Sequence, residues 1–448
     1  MNFVELREKY PNFIYSSYSI QDEGDKIVIG FEFEIENLAK FNPHIEILKK
    51  NFNFKPINDK VRNIVFNMGM IEAMSYFKAT CSPQFLIKCG SLDDFQKEWF
   101  KKLFYLGLGE FRYRNNINID QDSFVNFDNY GEAIKVEGEE DLLSGILIPI
   151  GGGKDSNVTM EILKKYNEDS LAFRIGKNEV ADECARLGGF NDDRVVEIKR
   201  TIDKDLLELN KKGFLNGHTP FSPVVAFNTY LCAYLLGKKN VALSNENSAN
   251  ESNVVGENIN HQYSKTIEFE NDFRDYADRY LKGNVNYFSL LRPLSELQIA
   301  KLFSRYEKYH KVFKSCNVGS KSSPWIWCCN CPKCLFVYSI LSPFLYKDKL
   351  VEIFGQDMFE NTLLLSTFIE LCGYGEIKPF ECVGTYSEVR YAVSETIRKY
   401  EDKPNLPYLL KYYYEHFELS DENPLNDYNE DHNVPKEFED LLKQELYK

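Results

Sequence analysis

The feature that most constrains the fold is an alternation of strand-like and helix-like segments between residues 145 and 300. Four short apolar runs, GILIPI, SLAFRIG, DRVVEIK and NVALSN, are typical of buried strands. Longer segments with helical spacing separate them, namely NVTMEILKKY, NEVADECARLGG and PFSPVVAFNTYLCAYLLGKK. This alternation predicts an α/β fold with a central parallel sheet and helices on both faces. Ligands of such sheets bind at the carboxyl ends of the strands, so the loops there are the first candidates for a site.

Two further regions flank this central one, which we place at residues 141–315. In residues 1–140, IVIGFEFEI alternates apolar and charged residues like a half-buried strand, and a helical segment follows that ends at Pro83. These patterns predict an N-terminal α/β domain with a boundary near Glu140. Residues 316–448 predict a cysteine-cluster and helical region, with an acidic tail that we expect to be solvated and partly mobile.

One helix start in the chain is especially well marked. Ser295 precedes an apolar helical segment, and Gln298 follows three positions later. A serine that accepts a hydrogen bond from the third helical amide, with a glutamine that reaches back, forms a capping box. The pair therefore predicts a helix that begins directly after Ser295.

The stretch GILIPIGGGKDSNVTM joins the first central strand to the first central helix through three glycines, Gly151, Gly152 and Gly153. A glycine-rich turn in this position exposes backbone amides at a helix N-terminus, where anions bind. Lys154 can neutralise charge there, Ser156 can donate a hydroxyl, and Asp155 can hold Mg²⁺. A plain tight turn is the alternative.

Two familiar nucleotide-binding patterns do not fit this turn. A Walker A motif requires Ser or Thr after Gly-Lys, but Asp155 follows Lys154, and its upstream glycine would fall on Ile148. The spacing of a Rossmann GxGxxG motif is also absent. The stretch does resemble the SGGxDS signature of PP-loop ATP pyrophosphatases, with Gly151 in place of the serine. That resemblance implies ATP as cofactor and an adenine nucleotide alpha hydrolase-like fold.

A second cluster lies in SCNVGSKSSPWIWCCNCPKCL, residues 315–335. Cys316, Cys328, Cys331 and Cys334 have a spacing at which four thiolates can surround one tetrahedral Zn²⁺. Four thiolate ligands would leave no open position, so the metal would be structural. Cys329 is a spare cysteine, and reduced thiols without metal are the alternative.

Composition narrows the class of protein further. The formal charge of −14 argues against a nucleic-acid partner, because phosphate backbones are held by clustered Lys and Arg. No segment approaches the roughly 20 apolar residues of a membrane helix, and the N-terminus lacks the apolar core of a signal peptide. We therefore expect a cytoplasmic enzyme without membrane contact, whose eleven cysteines are reduced or bind metal.

Several stretches together resemble one family, the UDP-N-acetylmuramoyl-L-alanyl-L-glutamate epimerases of bacterial peptidoglycan synthesis. The resemblance spans positions 66 to 385 and is carried by FNMGMIEAMSYFKATCSP, GLGEFRYRNN, PIGGGKDSN, NGHTPFSP, VALSNENSANESN, NHQYSKTIEFE, YFSLLRPLSELQIAKLF, CPKCLFVYSI and PFECVGT. It implies a small-molecule substrate, UDP-MurNAc-L-Ala-L-Glu, whose terminal L-Glu is inverted to D-Glu. It also implies ATP-dependent adenylation of a carboxylate, with release of AMP and pyrophosphate. The oligomeric state is left open.

Inversion requires a proton acceptor on one face of Cα and a donor on the other. Cys81 and Cys382 lie in the resembling segments outside the cysteine cluster, so both are candidates, although burial as small apolar residues is the commoner fate of free cysteines. His218 is a third candidate, with a neighbour of a helix cap as the favoured alternative. Glu246 is a fourth, with a polar loop that satisfies its own backbone as the alternative. Further candidates for phosphate, magnesium or proton transfer are Arg174, Lys177, Asn245, Asn250, Glu251, Cys329 and Glu381.

Two other functions remain open at this level. The glycine turn with a four-cysteine cluster is similar to 7-cyano-7-deazaguanine synthases, so a PP-loop enzyme that modifies a nucleobase or tRNA is the main alternative. A nucleotide-sensing module without catalysis is the second.

Overall fold

A computed structural model of the chain describes residues 2–136, 142–250, 263–375 and 378–448. Within these ranges lie eleven strands, all in one sheet. They are β1 (Asn12–Asp22), β2 (Lys26–Ile35), β3 (Ala39–Phe41), β4 (His44–Leu48), β5 (Gln84–Ile87), β6 (Asn126–Asn129), β7 (Ser144–Pro149), β8 (Ser170–Ile175), β9 (Val195–Arg200), β10 (Lys238–Leu243) and β11 (Asn286–Ser289).

The described ranges also contain the α-helices that cover the sheet and form the C-terminal region. They are α1 (Phe3–Lys9), α2 (Asp59–Phe77), α3 (Asp94–Gly107), α4 (Gly109–Arg114), α5 (Gln121–Phe124), α6 (Lys154–Ile162), α7 (Glu179–Leu187), α8 (Lys204–Lys211), α9 (Ser222–Leu235), α10 (Ile267–Tyr276), α11 (Glu296–Ser304), α12 (Pro332–Leu341), α13 (Lys347–Phe354), α14 (Leu365–Leu371), α15 (Tyr386–Arg398), α16 (Tyr408–His416) and α17 (Lys436–Leu446). Among the described residues, no helix has both the length and the apolar character needed to cross a bilayer.

The four predicted central strands, β7 to β10, form a parallel block together with β11, which was not predicted, in the order β11-β10-β7-β8-β9. The chain starts in the middle of this block, moves outward through β8 and β9, and then returns to the other side of β7 with β10. A crevice opens between the loops at the point where the strand order reverses. The mixed α/β architecture with a large central sheet is confirmed, whereas the assignment to the PP-loop fold stays a prediction.

The sheet extends beyond the parallel block, whereas the sequence had predicted a separate N-terminal domain. β9 pairs antiparallel with β4, which continues through β2 to β1, and β5 and β6 extend the sheet in parallel. The sheet as a whole is therefore mixed. The predicted boundary near Glu140 lies outside the described residues, and the division at 140 stays a prediction, although strands from both sides share one sheet.

Successive residues along the parallel strands belong to two different cores. Leu147, Phe173 and Val241 pack into a core shared with α2 and α9, while Ile148, Ala172 and Ala242 pack into another shared with α6, α11 and α12. This follows from the period of two in a strand, which sends neighbouring side chains to opposite faces. One face is thus covered largely by the N-terminal region and the other by the C-terminal region.

Two local predictions about the second half of the chain have different outcomes. The capping box is confirmed, because the side chains of Ser295 and Gln298 bond to each other's backbone amides at the start of α11. The acidic tail, in contrast, is not a free end. Gln298 donates from Nε2 to the carbonyl oxygens of Leu425 and Asp427, and Phe438 of α17 stacks on Phe288 of β11. The tail is anchored because it carries apolar residues spaced among its charges.

A matched pair of glycine substitutions tests the packing of the N-terminal core. A Cβ on Gly69 in α2 would lie 1.9 Å from the Tyr15 hydroxyl, whereas a Cβ on Gly109 in α4 meets nothing within 4 Å. We expect Gly69→Ala to lower the free energy of unfolding by about 1–3 kcal/mol through overpacking. Gly109→Ala should leave it unchanged or raise it by up to about 1 kcal/mol. Denaturant unfolding of both variants measures this, and equal stabilities would contradict the packing described.

Candidate functional site

A cavity of about 410 Å³ opens at the carboxyl ends of the parallel strands. Its walls include Ile150 and Gly151 after β7, Ile175 at the end of β8, and Ser244 after β10. β7 and β10 are neighbours in the sheet but not in sequence, so the cavity occupies the point where the strand order reverses. This is where ligands of open α/β sheets bind.

Gly151 and Gly153 of the glycine turn line this cavity, and hydrogen bonds from two neighbouring residues fix the backbone of the turn. Asn178 donates from Nδ2 to the carbonyl oxygen of Gly151 at 3.1 Å, and the Lys314 amide donates to that of Gly152 at 3.0 Å. Gly152 has φ of 82°, and a Cβ there would lie 2.8 Å from Val180. The turn therefore needs a glycine at 152 for both backbone conformation and space.

The amides of the turn remain available to a ligand. Among the described residues, no acceptor receives a hydrogen bond from the amides of Gly151, Gly152 or Gly153. Gly153 precedes α6 and supplies no side-chain cap, so the helix N-terminus is uncapped as well. Unpaired amides and the positive end of a helix dipole together attract an anion such as a phosphate group.

The three residues after the glycines are placed differently from one another. Asp155 and Ser156 line the cavity, as expected for ligands of phosphate or Mg²⁺. Lys154, in contrast, is 1% exposed, and its ammonium lies between the carboxylates of Asp155 and Glu296. Burial opposes its charge, but the two carboxylates outweigh burial and raise the pKa of Lys154. The Lys154 ammonium is enclosed by these carboxylates and does not line the cavity, and its predicted role in neutralising phosphate charge stays a prediction.

A second wall of the cavity carries residues from loops that follow β10. Glu246 is buried at the cavity wall, and Asn245 donates to Ser289 at 3.2 Å. The backbone of Glu246 is fixed by Arg292, which donates to its carbonyl oxygen at 2.7 Å. Glu246 is thus placed where a carboxylate can meet a ligand. Glu251 lies outside the described residues, as does the side chain of Asn250.

Cys382 lies next to this wall and contacts one of its lining residues. Its Sγ lies 3.0 Å from the Nζ of Lys265, and Lys265 lines the cavity. The neighbouring Glu381 accepts hydrogen bonds from the Lys333 amide at 3.1 Å and from Asn317 at 3.4 Å. Burial raises the pKa of Glu381. An ammonium next to a thiol favours the thiolate, which is the reactive form of cysteine.

The other predicted cysteine has a different environment. Cys81 is 0% exposed in the N-terminal core, and its Sγ faces the Lys78 carbonyl oxygen at 3.6 Å. Burial raises the pKa of the Cys81 thiol well above its usual range. Cys81 does not line the cavity, and its predicted catalytic role stays a prediction.

His218 lies in a polar group beside the cavity and not in its wall. Its Nδ1 is 3.8 Å from the buried carboxylate of Glu110, which also pairs with Arg114 at 2.5 Å. Arg114 in turn lies over the ring of Phe380, two residues before Cys382. His218 is therefore close to the segment that carries Cys382, and its role in proton transfer stays a prediction.

Of the two basic residues predicted around the end of β8, only Arg174 lines the cavity. Arg174 lines it, but its guanidinium is held by Asp182 at 2.5 Å and Glu197 at 3.0 Å. Lys177 is exposed and pairs with Glu179. Arg174 therefore shapes the wall, while Lys177 lies outside it.

The four predicted cysteines converge on one point. The Sγ of Cys316 lies 3.9 Å from that of Cys331, and the Sγ of Cys334 lies 3.8 Å from Cys328 and 3.5 Å from Cys331. Tetrahedral Zn–S bonds of about 2.3 Å place sulfur atoms about 3.8 Å apart, so the geometry fits one zinc ion. The amides of Gly319 and Cys328 donate to the Cys316 Sγ, as they would to a thiolate. Cys329 points away and donates to Phe354.

The cysteine cluster and the cavity share a wall. Trp325 lines the cavity and donates from Nε1 to the Cys316 carbonyl oxygen at 3.0 Å. Ser315, next to Cys316, lines it as well, with its Oγ 2.9 Å from the position of a Cβ on Gly153. The loop that carries the first cysteine therefore covers the glycine turn.

Sequence reasoning missed three basic or acidic residues of the site, Lys265, Glu296 and Lys333. All three lie inside segments already singled out, NHQYSKTIEFE, LSELQIAKLF and CPKCL. Charged residues next to a marked helix start or between two cysteines are candidates for burial. The sequence therefore marked the positions of these three residues. It did not identify the partners of these residues, because those partners are distant along the chain.

Comparisons with known proteins agree on one family. The MurL N-terminal domain matches residues 4–290, and the MurL C-terminal domain matches residues 312–423. A UDP-N-acetyl-alpha-D-muramoyl-L-alanyl-L-glutamate epimerase of Xanthomonas oryzae pv. oryzae is 36% identical over 73% of either chain. An epimerase of the same name from Salinispora tropica is 34% identical over 73% of this chain and 71% of its own.

Single cysteine substitutions test the proposed metal centre. We expect the purified protein to contain one zinc ion per chain, and Cys331→Ser to lose it together with thermal stability, because structural zinc contributes about 10–16 kcal/mol in small domains. Cys329→Ser is the matched control, since its hydroxyl can keep the bond to Phe354. Elemental analysis and thermal unfolding measure both effects. Full zinc content in Cys331→Ser would rule out this ligand set.

Proposed function

The chain belongs to the MurL family, and we propose that it is an ATP-dependent epimerase that inverts the terminal L-glutamate of UDP-MurNAc-L-Ala-L-Glu. The names of its relatives support the epimerase activity and a role in peptidoglycan precursor synthesis. ATP dependence is supported by one observation above all, the set of unpaired amides at the glycine turn that lines the cavity.

The first step of the proposed reaction is adenylation of the substrate. The carboxylate attached to Cα attacks the α-phosphorus of ATP, and the bond from this phosphorus to the pyrophosphate oxygen breaks. The turn from Gly151 to Gly153 would hold the departing pyrophosphate, and Asp155 would hold Mg²⁺, which neutralises its charge. The cavity of about 410 Å³ has the size of a small-molecule site.

Adenylation has a physical reason. Removal of the Cα proton next to a free carboxylate would place two negative charges side by side. The acyl-adenylate has lost the carboxylate charge, and its carbonyl withdraws electrons, so the anion formed at Cα becomes an enolate. Reprotonation on the opposite face inverts the centre. Water then hydrolyses the mixed anhydride, which restores the acid and releases AMP.

A chiral assay tests the activity directly. The protein is incubated with ATP, Mg²⁺ and UDP-MurNAc-L-Ala-L-Glu, and the released glutamate is analysed after acid hydrolysis. We expect D-glutamate, together with AMP and pyrophosphate that form only when the substrate is present. Only L-glutamate would defeat the epimerase, and D-glutamate without ATP would defeat the adenylation step.

Two serine substitutions at adjacent glycines test the phosphate site. A Cβ on Gly151 meets nothing within 4 Å, so Gly151→Ser fits and brings the hydroxyl that PP-loop enzymes carry at this position. At Gly152 a side chain is strained by the positive φ and contacts Val180 and the Ala181 amide. Strain of about 1–3 kcal/mol should weaken ATP binding about tenfold or more in Gly152→Ser. Calorimetric titration with ATP checks this, with Gly151→Ser as control, and equal affinities would place the phosphates elsewhere.

A further inference from the structure

Lys265 and Cys382 form a pair that lies outside the glycine turn. Lys265 precedes α10 and lines the cavity, and its Nζ is 3.0 Å from the Cys382 Sγ. The Lys265 backbone is fixed by Arg292, a fully buried residue that donates to its carbonyl oxygen at 2.5 Å. The ammonium is therefore held in place from behind and faces the thiol.

The Cys382 segment is fixed from another direction. Lys333 follows Cys331 by two positions, and its ammonium donates to the Cys382 carbonyl oxygen. Its amide donates to Glu381 at 3.1 Å. Lys333, at the start of α12, thus binds both Glu381 and Cys382. The Cys382 side chain is directed to Lys265.

Among the groups around the pair, the Cys382 thiol is the direct partner of the Lys265 ammonium. Partial burial opposes the charge of Lys265, but Cys382, followed by Glu246 and more weakly Asp155, outweighs burial and raises the pKa of Lys265. Lys333 adds a second positive charge near Cys382. Glu381, the carboxylate next to Cys382 in sequence, already accepts two hydrogen bonds.

We propose that Lys265 holds Cys382 as a thiolate and that this thiolate is the base that removes the Cα proton. The inference rests on the proposed epimerase function and names a catalytic residue, Cys382, and a positioning residue, Lys265. The sulfur takes the proton and becomes a thiol, and the electron pair of the C–H bond passes into the enolate of the acyl-adenylate. A second group on the opposite face supplies the new proton, and the thiol returns its proton to solvent.

Whether Cys382 is a thiolate can be tested without substrate or nucleotide. Alkylation of each cysteine by iodoacetamide is followed by peptide mass spectrometry between pH 5 and pH 10. We expect Cys382 to react at neutral pH, with a midpoint well below the usual value of about 8.5. In Lys265→Met, which keeps the length but not the charge, the rate at pH 7 should fall about tenfold or more. Cys89 is an internal reference, because burial raises the pKa of its thiol to about 12.

Proton exchange tests the catalytic role. Wild-type enzyme with ATP and substrate in D₂O should incorporate deuterium at Cα, and Cys382→Ser should lose this exchange at least about 100-fold. Substrate-dependent pyrophosphate release on mixing should persist in Cys382→Ser, because adenylation precedes proton removal, and this shows that the variant folds and adenylates.

The outcomes separate this inference from the proposed function. Undiminished exchange in Cys382→Ser, or an unchanged alkylation profile in Lys265→Met, would overturn the assignment of Cys382 and Lys265 while epimerisation by the wild type still stands. Absence of D-glutamate with the wild type would instead defeat the proposed function, while the alkylation profile still tests the Lys265–Cys382 pair.

Discussion

The ammonium of Lys154, enclosed by the carboxylates of Asp155 and Glu296, is the interaction on which the site depends most. It joins the first residue of α6, which directly follows the glycine turn, to the first residue of α11. Ion pairs withdrawn from water cost much desolvation free energy and are stable only with good geometry. Such a pair is therefore a poor source of stability but a good means of fixing two helix starts against each other. It also brings a negative carboxylate, Asp155, to the cavity with its partner already in place.

The two faces of the sheet contribute to different parts of this site. The core shared with α2 and α9 supports the strands that end at the cavity, while the other core carries α6, α11 and the cysteine cluster. The cavity lies at the edge where both meet. Residues from distant parts of the chain, such as Gly151, Lys265 and Trp325, consequently line one space. Lys333 connects the cysteine cluster to Cys382 in the same way.

The sequence predicted local features better than long-range ones. Strands β7 to β10 and the capping box at Ser295 were predicted, because each depends on a pattern of neighbouring residues. The pairing of β4 with β9 joins residues about 150 positions apart and has no local signal, so the mixed sheet was missed. Cys81 and Cys382 are equivalent in sequence, and only burial and the position of Lys265 distinguish them. The ion pair of Lys154 with Glu296 was not predicted, because Glu296 is remote in the chain.

The junction between β4 and β9 has a consequence for how the protein can be divided. β9 hydrogen-bonds to β8 on one side and to β4 on the other. A fragment that began after the first hundred residues would leave the β4 side of β9 without hydrogen-bonding partners. Exposed strand edges recruit other chains and cause aggregation. The amino-terminal strands thus cover the edge of the parallel block at β9. Their removal should reduce the solubility of the protein even though no residue that lines the cavity is changed.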